Sequence, residues 1–191
     1  MVKNEKYLKV MFGNKSNANG LEYKIGELNV ANKWNPKLND PKEMGGFNFS
    51  TESKILRWLI RGDTIYDVII PGDAEVIDCE NESAPHGVFR TNKIIIKNPR
   101  LVTDDLALDL YNKSNLPEKS YFKAMAGCIV RGYINTAKQI LKDKVNKENI
   151  KIVIEEFEDF CRVQDGSKFD IKNLDDNCKE FYIALLKINE Y

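Results

Sequence analysis

Residues 45–71, GGFNFSTESKILRWLIRGDTIYDVIIP, constrain the fold more than any other stretch. Phe47 and Phe49 alternate with Asn48, the pattern of a strand with one buried face. Gly45 and Gly46 before it let the backbone turn or pass where a side chain would clash. Ser50 and Thr51 are good helix N-caps, and Glu52 follows where the helix dipole favours a negative charge. Ile55, Leu56, Leu59 and Ile60 fall on one face at helical spacing, and Gly62 is a natural C′ stop. Ile65, Tyr66, Val68, Ile69 and Ile70 then make an apolar strand ended by Pro71-Gly72. Strand, helix and strand follow one another with no room for a long connection. Arg61-Gly62-Asp63 spells an adhesion tripeptide, but its position reads as a helix stop followed by a turn residue.

The flanks extend this pattern in two ways. Towards the N-terminus, Tyr7, Leu8, Val10 and Phe12 predict a first strand, and Tyr23, Ile25, Leu28 and Val30 a second extended piece broken at Gly26. Residues 32–46 read as a long ordered loop with Trp34 as its anchor. Towards the C-terminus, Ala74–Cys79 and Val88–Lys97 predict further strands, separated by the polar turn 80–87 and stopped by Asn98-Pro99. From Thr103 the period becomes helical, with five amphipathic segments beginning near Asp104, Pro117, Ile134, Ile150 and Leu174. Strands followed by helices predict an α+β chain: a β-rich domain over 1–100 with a mixed or antiparallel sheet, then a helical domain of about five helices over 101–191, a small bundle.

Composition narrows the function classes. The chain has 191 residues, 42% of them hydrophobic, enough for a real core. Its formal net charge of +0 gives no bulk pull towards nucleic acid or an anionic membrane. No apolar run approaches the roughly 20 residues of a membrane span, and MVKNEKYLKV lacks the apolar core of a signal peptide, so a cytoplasmic location is expected. Cys79, Cys128, Cys161 and Cys178 lack paired spacing and read as reduced, mostly buried thiols. Abundant Lys, Asn and Ile imply an AT-rich bacterial or phage genome.

Motifs for chemistry are sparse. The single histidine, His86, lies in a polar turn, so any Ser-His-Asp or Cys-His arrangement must use it. There is no G-x-S-x-G elbow, P-loop or G-x-G-x-x-G fingerprint, and no metal-ligand spacing. Glu155, Glu156, Glu158 and Asp159 read as a solvated helix face. Basic residues do not interleave with aromatics as a single-stranded nucleic-acid platform would require.

The strands over residues 5–98 resemble the ADP-ribosyltransferase fold, in its poly-ADP-ribose-polymerase-like branch. That family has a His-Gly-Thr/Ser motif on a first strand, a Gly-x-Tyr-x-small-Ser strand followed by a helix, and a Glu opening a late strand. Here Phe12-Gly13-Asn14 matches the first motif, Gly46-Phe47-Asn48-Phe49-Ser50-Thr51 the second, and Arg90-Thr91-Asn92-Lys93 the third. The chemistry departs from the family: its His is replaced by Phe12, its Tyr by Asn48, its Glu by Asn92. An amide supplies no negative charge to a developing oxocarbenium ion. The chain as a whole is also similar to uncharacterised proteins of clostridia and their phages, a likeness that brings no function with it.

The resemblance implies a nucleotide-pocket scaffold with replaced catalytic groups. The expected function is a macromolecule-binding protein, an interaction or inhibitor protein without turnover, its partner another protein and its cofactors none. Trp34 or Trp58 would anchor an interface or sit in the core. The alternative is an NAD-dependent mono-ADP-ribosyltransferase with a variant site. It would use Gly13 and Asn14 for the nicotinamide amide, Ser50 and Thr51 for ribose hydroxyls, and Arg90 for pyrophosphate. His86, Asp63 or Asn92 would stand in for the catalytic groups. An immunity or antitoxin-like protein, binding without turnover, is a third reading.

Overall fold

In the computed structural model the described residues are 6–16, 20–38, 40–79, 87–162 and 169–190. The chain divides into two units, Met1–Val102 with Lys113–Asn115, and Thr103–Asn112 with Leu116–Tyr191. A seven-stranded antiparallel sheet together with the helices makes the chain α+β.

The first unit is built on strands β1 (Tyr7–Met11), β2 (Leu28–Val30), β3 (Phe47–Thr51), β4 (Thr64–Ile69), β5 (Val76–Asp78), β6 (Val88–Thr91) and β7 (Lys93–Leu101). Their order across the sheet is β2-β7-β4-β1-β3-β6-β5. Period-2 alternation sends Met11, Phe47, Phe49, Tyr66, Val68, Phe89, Ile94 and Ile96 to one face, where Tyr23 and the 20–46 segment cover them. Tyr7 packs edge-on against both Phe49 and Phe89, ring centroids 5.3 and 5.8 Å away. The opposite face receives the helix Glu52–Arg61, which buries Ile55, Leu56 and Leu59.

Several expectations change at this helix. It is a 3-10 helix along all ten residues, not an α-helix. Ser50 and Thr51 finish β3 rather than capping the helix. The Ser50 hydroxyl donates to the Gly87 carbonyl at 2.6 Å, and the Thr51 hydroxyl lies 3.2 Å from that of Ser53. Gly62 is not a left-handed stop but fully extended, φ 178° and ψ 177°. Its reason for being glycine is space, because a Cβ there would lie 2.2 Å from the Met11 carbonyl carbon and oxygen. At the other end of β3, Gly46 (φ +72°) lets the Trp34 ring lie where its Cβ would be, 2.5 Å away. Trp34 anchors its loop there, with Nε1 donating to Glu75 at 2.6 Å, and the loop carries one short helix, α1 (Pro41–Met44).

Val88–Lys97 is two strands, not one. The chain breaks at Asn92, so that β6 joins β3 and β5 while β7 crosses to β4 and β2. Asn98-Pro99 does not stop β7, which continues to Leu101. The β4–β7 register slips between Ile65 and Asp67, and the extra residue on β7 forms a bulge with Asn98 at φ 53°. Asparagine tolerates that conformation, and here its side chain donates to Asp67 at 2.9 Å.

The second unit contains α2 (Asp104–Asn112), α3 (Glu118–Val130), α4 (Ile134–Lys144), α5 (Ile150–Cys161), a 3-10 turn (Ile171–Asn173) and α6 (Asp176–Glu190). Helix α3 is buried on most sides and packs on α4, α5 and α6, which explains its apolar residues all round. Thr103 caps α2 as its hydroxyl accepts from the Leu106 N–H. The Asp104 carboxylate accepts the Asn135 and Thr136 N–H groups at 2.8 and 3.0 Å, capping α4 from its neighbour. Cys128 and Cys178 are buried, and all four cysteines are free thiols. Among the described residues, no helix is long and apolar enough to cross a membrane.

Candidate functional site

The pairing of β1 is uneven on its two sides. On one flank, β1 pairs with β4 at every residue from Leu8 to Met11. On the other it pairs with β3 only at Tyr7↔Thr51 and Leu8↔Ser50. Beyond Leu8 the two strands part, and a cleft of about 280 Å³ opens there. Three residues of the 3-10 helix form one wall: Ile55, Trp58 and Arg61. Residues three apart eclipse in a 3-10 helix, so these side chains stack in one row where an α-helix would fan them round. The strands supply Lys9, Asn48, Ser50 and Arg90.

Lys9 is the unusual group. It is 4% exposed, and its amine donates to the Asn48 carbonyl at 2.7 Å and to the Asn48 side-chain oxygen at 2.5 Å. These bonds take the place of the missing backbone ladder. The amine also lies 5.1 Å from the Tyr23 ring centroid. Burial, then repulsion by Arg90, pulls its pKa down to about 7. The Arg90 guanidinium donates to the carbonyls of Gly45 (2.7 Å) and Gly46 (3.2 Å), and burial lowers its pKa as well. Trp58 is flanked by Arg57 and Arg61, 4.8 and 5.7 Å from its ring.

Of the residues singled out from sequence, Ser50 and Arg90 line this cleft. Thr51 is buried at the end of β3. Gly13 and Asn14 form a turn after β1. There the Gly13 N–H donates to Asp63 at 3.0 Å, and Asn14 donates to Glu22 and to the Tyr23 carbonyl. Asp63 is thus occupied in holding that turn and also accepts from the Thr64 hydroxyl at 2.9 Å. Asn92 ties the β6–β7 break to the 74–76 segment through the Glu75 N–H at 2.9 Å. His86 lies outside the described residues. The acidic residues of α5 serve the helical unit: Glu156 pairs with Lys123, Asp159 with Arg162, and Glu158 accepts from Tyr182. Among the described residues no group of three His, Cys, Asp or Glu side chains could hold a metal ion.

Lys9 and Arg61 carry no local signal for a site, since a lysine in an alternating strand reads as solvent-facing and Arg61 as a helix end. Trp58, expected to anchor an interface or sit in the core, lines the cleft instead. Compared with known proteins, the chain matches no protein family, no curated protein and no solved structure.

A second surface stands out on the helix-bearing face of the sheet, on strands beyond β1 and β3, where the 3-10 helix packs. Leu28 is in register with Ile95, and Ile95 with Ile69, so the three form a strip across β2, β7 and β4. Leu28 is 48% and Ile69 39% exposed, with Val30 beside them at 57%. On β7 the alternation places Lys93 and Lys97 on either side of Ile95 on that face.

Proposed function

We propose that the chain is a macromolecule-binding protein of the interaction or inhibitor type, taking another protein as partner on a nucleotide-pocket scaffold without turnover. The observation that carries this reading is the apolar strip Leu28–Ile95–Ile69, continuous across three strands and left open. An open apolar patch rimmed by charge is how a binding surface differs from scattered exposed side chains. Lys93, ion-paired with Asp73, and Lys97, in register with Asp67, make the rim charged with both signs, so the partner presents an apolar centre within a polar edge.

The fates of the replaced motif residues Asn48 and Asn92, and of the acid/base candidate Asp63, support the absence of turnover. Asn48 grips Lys9, Asn92 grips the Glu75 backbone, and Asp63 holds the Gly13 turn. Each is spent on structure.

Leu28→Glu with Ile69→Glu tests the reading, since both side chains are exposed, with thermal unfolding of the double variant checked alongside. The unaltered protein should recover one bacterial protein at near-stoichiometric yield, and the double variant at least about tenfold less. Recovery of no such protein, or equal recovery by both, counts against the proposal.

The alternative, an ADP-ribosyltransferase with a variant site, draws on the cleft. It opens between β1, which leads into the first motif match, and β3, which carries the second, and Ser50 and Arg90 line it. Under that reading the protein releases nicotinamide from NAD. Under the reading preferred here NAD stays intact.

A further inference from the structure

We infer that the cleft between β1 and β3 is a binding site for a small phosphate-bearing molecule, with Lys9 and Arg90 receiving the phosphate and the Ile55–Trp58–Arg61 row lying along its organic part. This rests on the pocket half of the proposed function and is independent of the strip on β2, β7 and β4.

The charged side chains among the described lining are Lys9, Arg61 and Arg90, from three different elements. Arg61 is exposed at the mouth, but holding Lys9 and Arg90 together within the fold is costly unless an anion completes the set. That cost is visible at Lys9, which burial and Arg90 push down to about 7. Asn48, Ser16 and Ser50 add polar groups to the same walls. Beyond its two bonds to Asn48 the Lys9 ammonium keeps one N–H, and beyond the Gly45 and Gly46 carbonyls the Arg90 guanidinium keeps its Nη1 donors, which suits them to terminal oxygens of a phosphate. The volume, about 280 Å³, lies just under the range of pockets for drug-sized ligands. The site therefore takes something near a nucleoside monophosphate in size. The Trp58 ring in the wall gives such a ligand a flat apolar surface to lie on.

Binding has a proton signature. An anion beside Lys9 raises its affinity for a proton, so above neutral pH the ligand enters with proton uptake. The groups facing Lys9 are Arg90 from β6, Asn48 from β3, Tyr23 from the covering segment and Tyr66, its register partner on β4. Burial raises the pKa of both tyrosines, so neither titrates near neutrality.

The test is calorimetric titration of the full chain with adenosine monophosphate, with orthophosphate and with uncharged adenosine. Adenosine monophosphate and orthophosphate should bind, and adenosine at least about tenfold more weakly than its monophosphate. Affinity for the monophosphate should fall about fivefold between about pH 6 and about pH 8, the loss of the Lys9 proton outweighing the ligand's own second ionisation at about pH 6. Lys9→Met and Arg90→Gln should each weaken it by about tenfold or more. On the unaltered protein, bound monophosphate should slow acetylation of Lys9 by acetic anhydride, a readout that needs no variant. The inference is overturned if neither phosphate compound saturates by about 5 mM, if adenosine binds as tightly as its monophosphate, or if Lys9 gains no protection. Release of nicotinamide from NAD would sink the proposed function and leave this site standing. Loss of the phosphate site would leave the protein-binding strip untouched.

Discussion

The two flanks of β1 carry the same kind of sequence and do opposite things. Against β4, a run of four registered residues ends at Met11, where Gly62 brings the next segment into contact with the Met11 carbonyl. Against β3, pairing stops after two residues and a lysine side chain bridges the gap. The difference teaches how a sheet makes a pocket without adding a domain. It withholds a few backbone hydrogen bonds and satisfies the orphaned carbonyl with a buried amine. The Asn48 carbonyl is the case in point.

Gly62→Ala attacks the tight flank and should have the largest effect. The added Cβ meets backbone atoms, which cannot rotate away, so unfolding in denaturant should show a loss of about 3 kcal/mol or more. A loss under about 1 kcal/mol would mean the flank is looser than the geometry has it.

Lys9→Met attacks the open flank. The folded pKa of Lys9, about 7, lies below its unfolded value of 10.5, so between these the unfolded chain holds a proton that the folded chain has released. This contribution makes stability rise with pH across that window, by up to about 1.4 kcal/mol per unit. Met keeps the apolar stem and abolishes the slope. The stability of Lys9→Met relative to the unaltered protein should therefore be greatest near pH 6 and shrink towards pH 10. A difference that is constant with pH would break the comparison, because Lys9 would then carry no buried charge to relieve.

The smallest effect belongs to the hinge between the flanks. Ser50 sits at the last registered pair with β1 and bonds the Gly87 carbonyl at 2.6 Å. Ser50→Ala should cost about 1 kcal/mol, measured by thermal unfolding. A neutral change would show that backbone pairing alone sets where the strands part.

Local physics made much of this readable in the sequence. Phe47, Phe49 and Ile65–Ile69 alternate or run apolar because their neighbours in the sheet are fixed by period, and the helices after Thr103 announce themselves through caps and spacing. The parts that escaped are set by partners far along the chain. Nothing within Tyr7–Met11 says that β3 will pair with only two of its residues, so Lys9 looks like any outward lysine. Gly62 has the signature of a helix stop, yet the cause of the glycine lies 51 positions away at Met11. Asn98-Pro99 reads as a terminator, and only the slip against β4 turns it into a bulge. The motif-like triplets around Gly13 and Asn92 are turns held by Asp63 and Glu75, which one-dimensional matching does not distinguish from a site.

Pro99 has a further consequence for how molecules of this protein meet. Strand β2 covers β7 only from Lys93 to Ile95, so the later part of β7 extends beyond that partner, and a proline there offers no amide hydrogen to an incoming chain. A foreign strand laid along that margin would find a missing rung beside a kinked backbone. That margin of the sheet is thereby guarded against growing rung by rung into fibres.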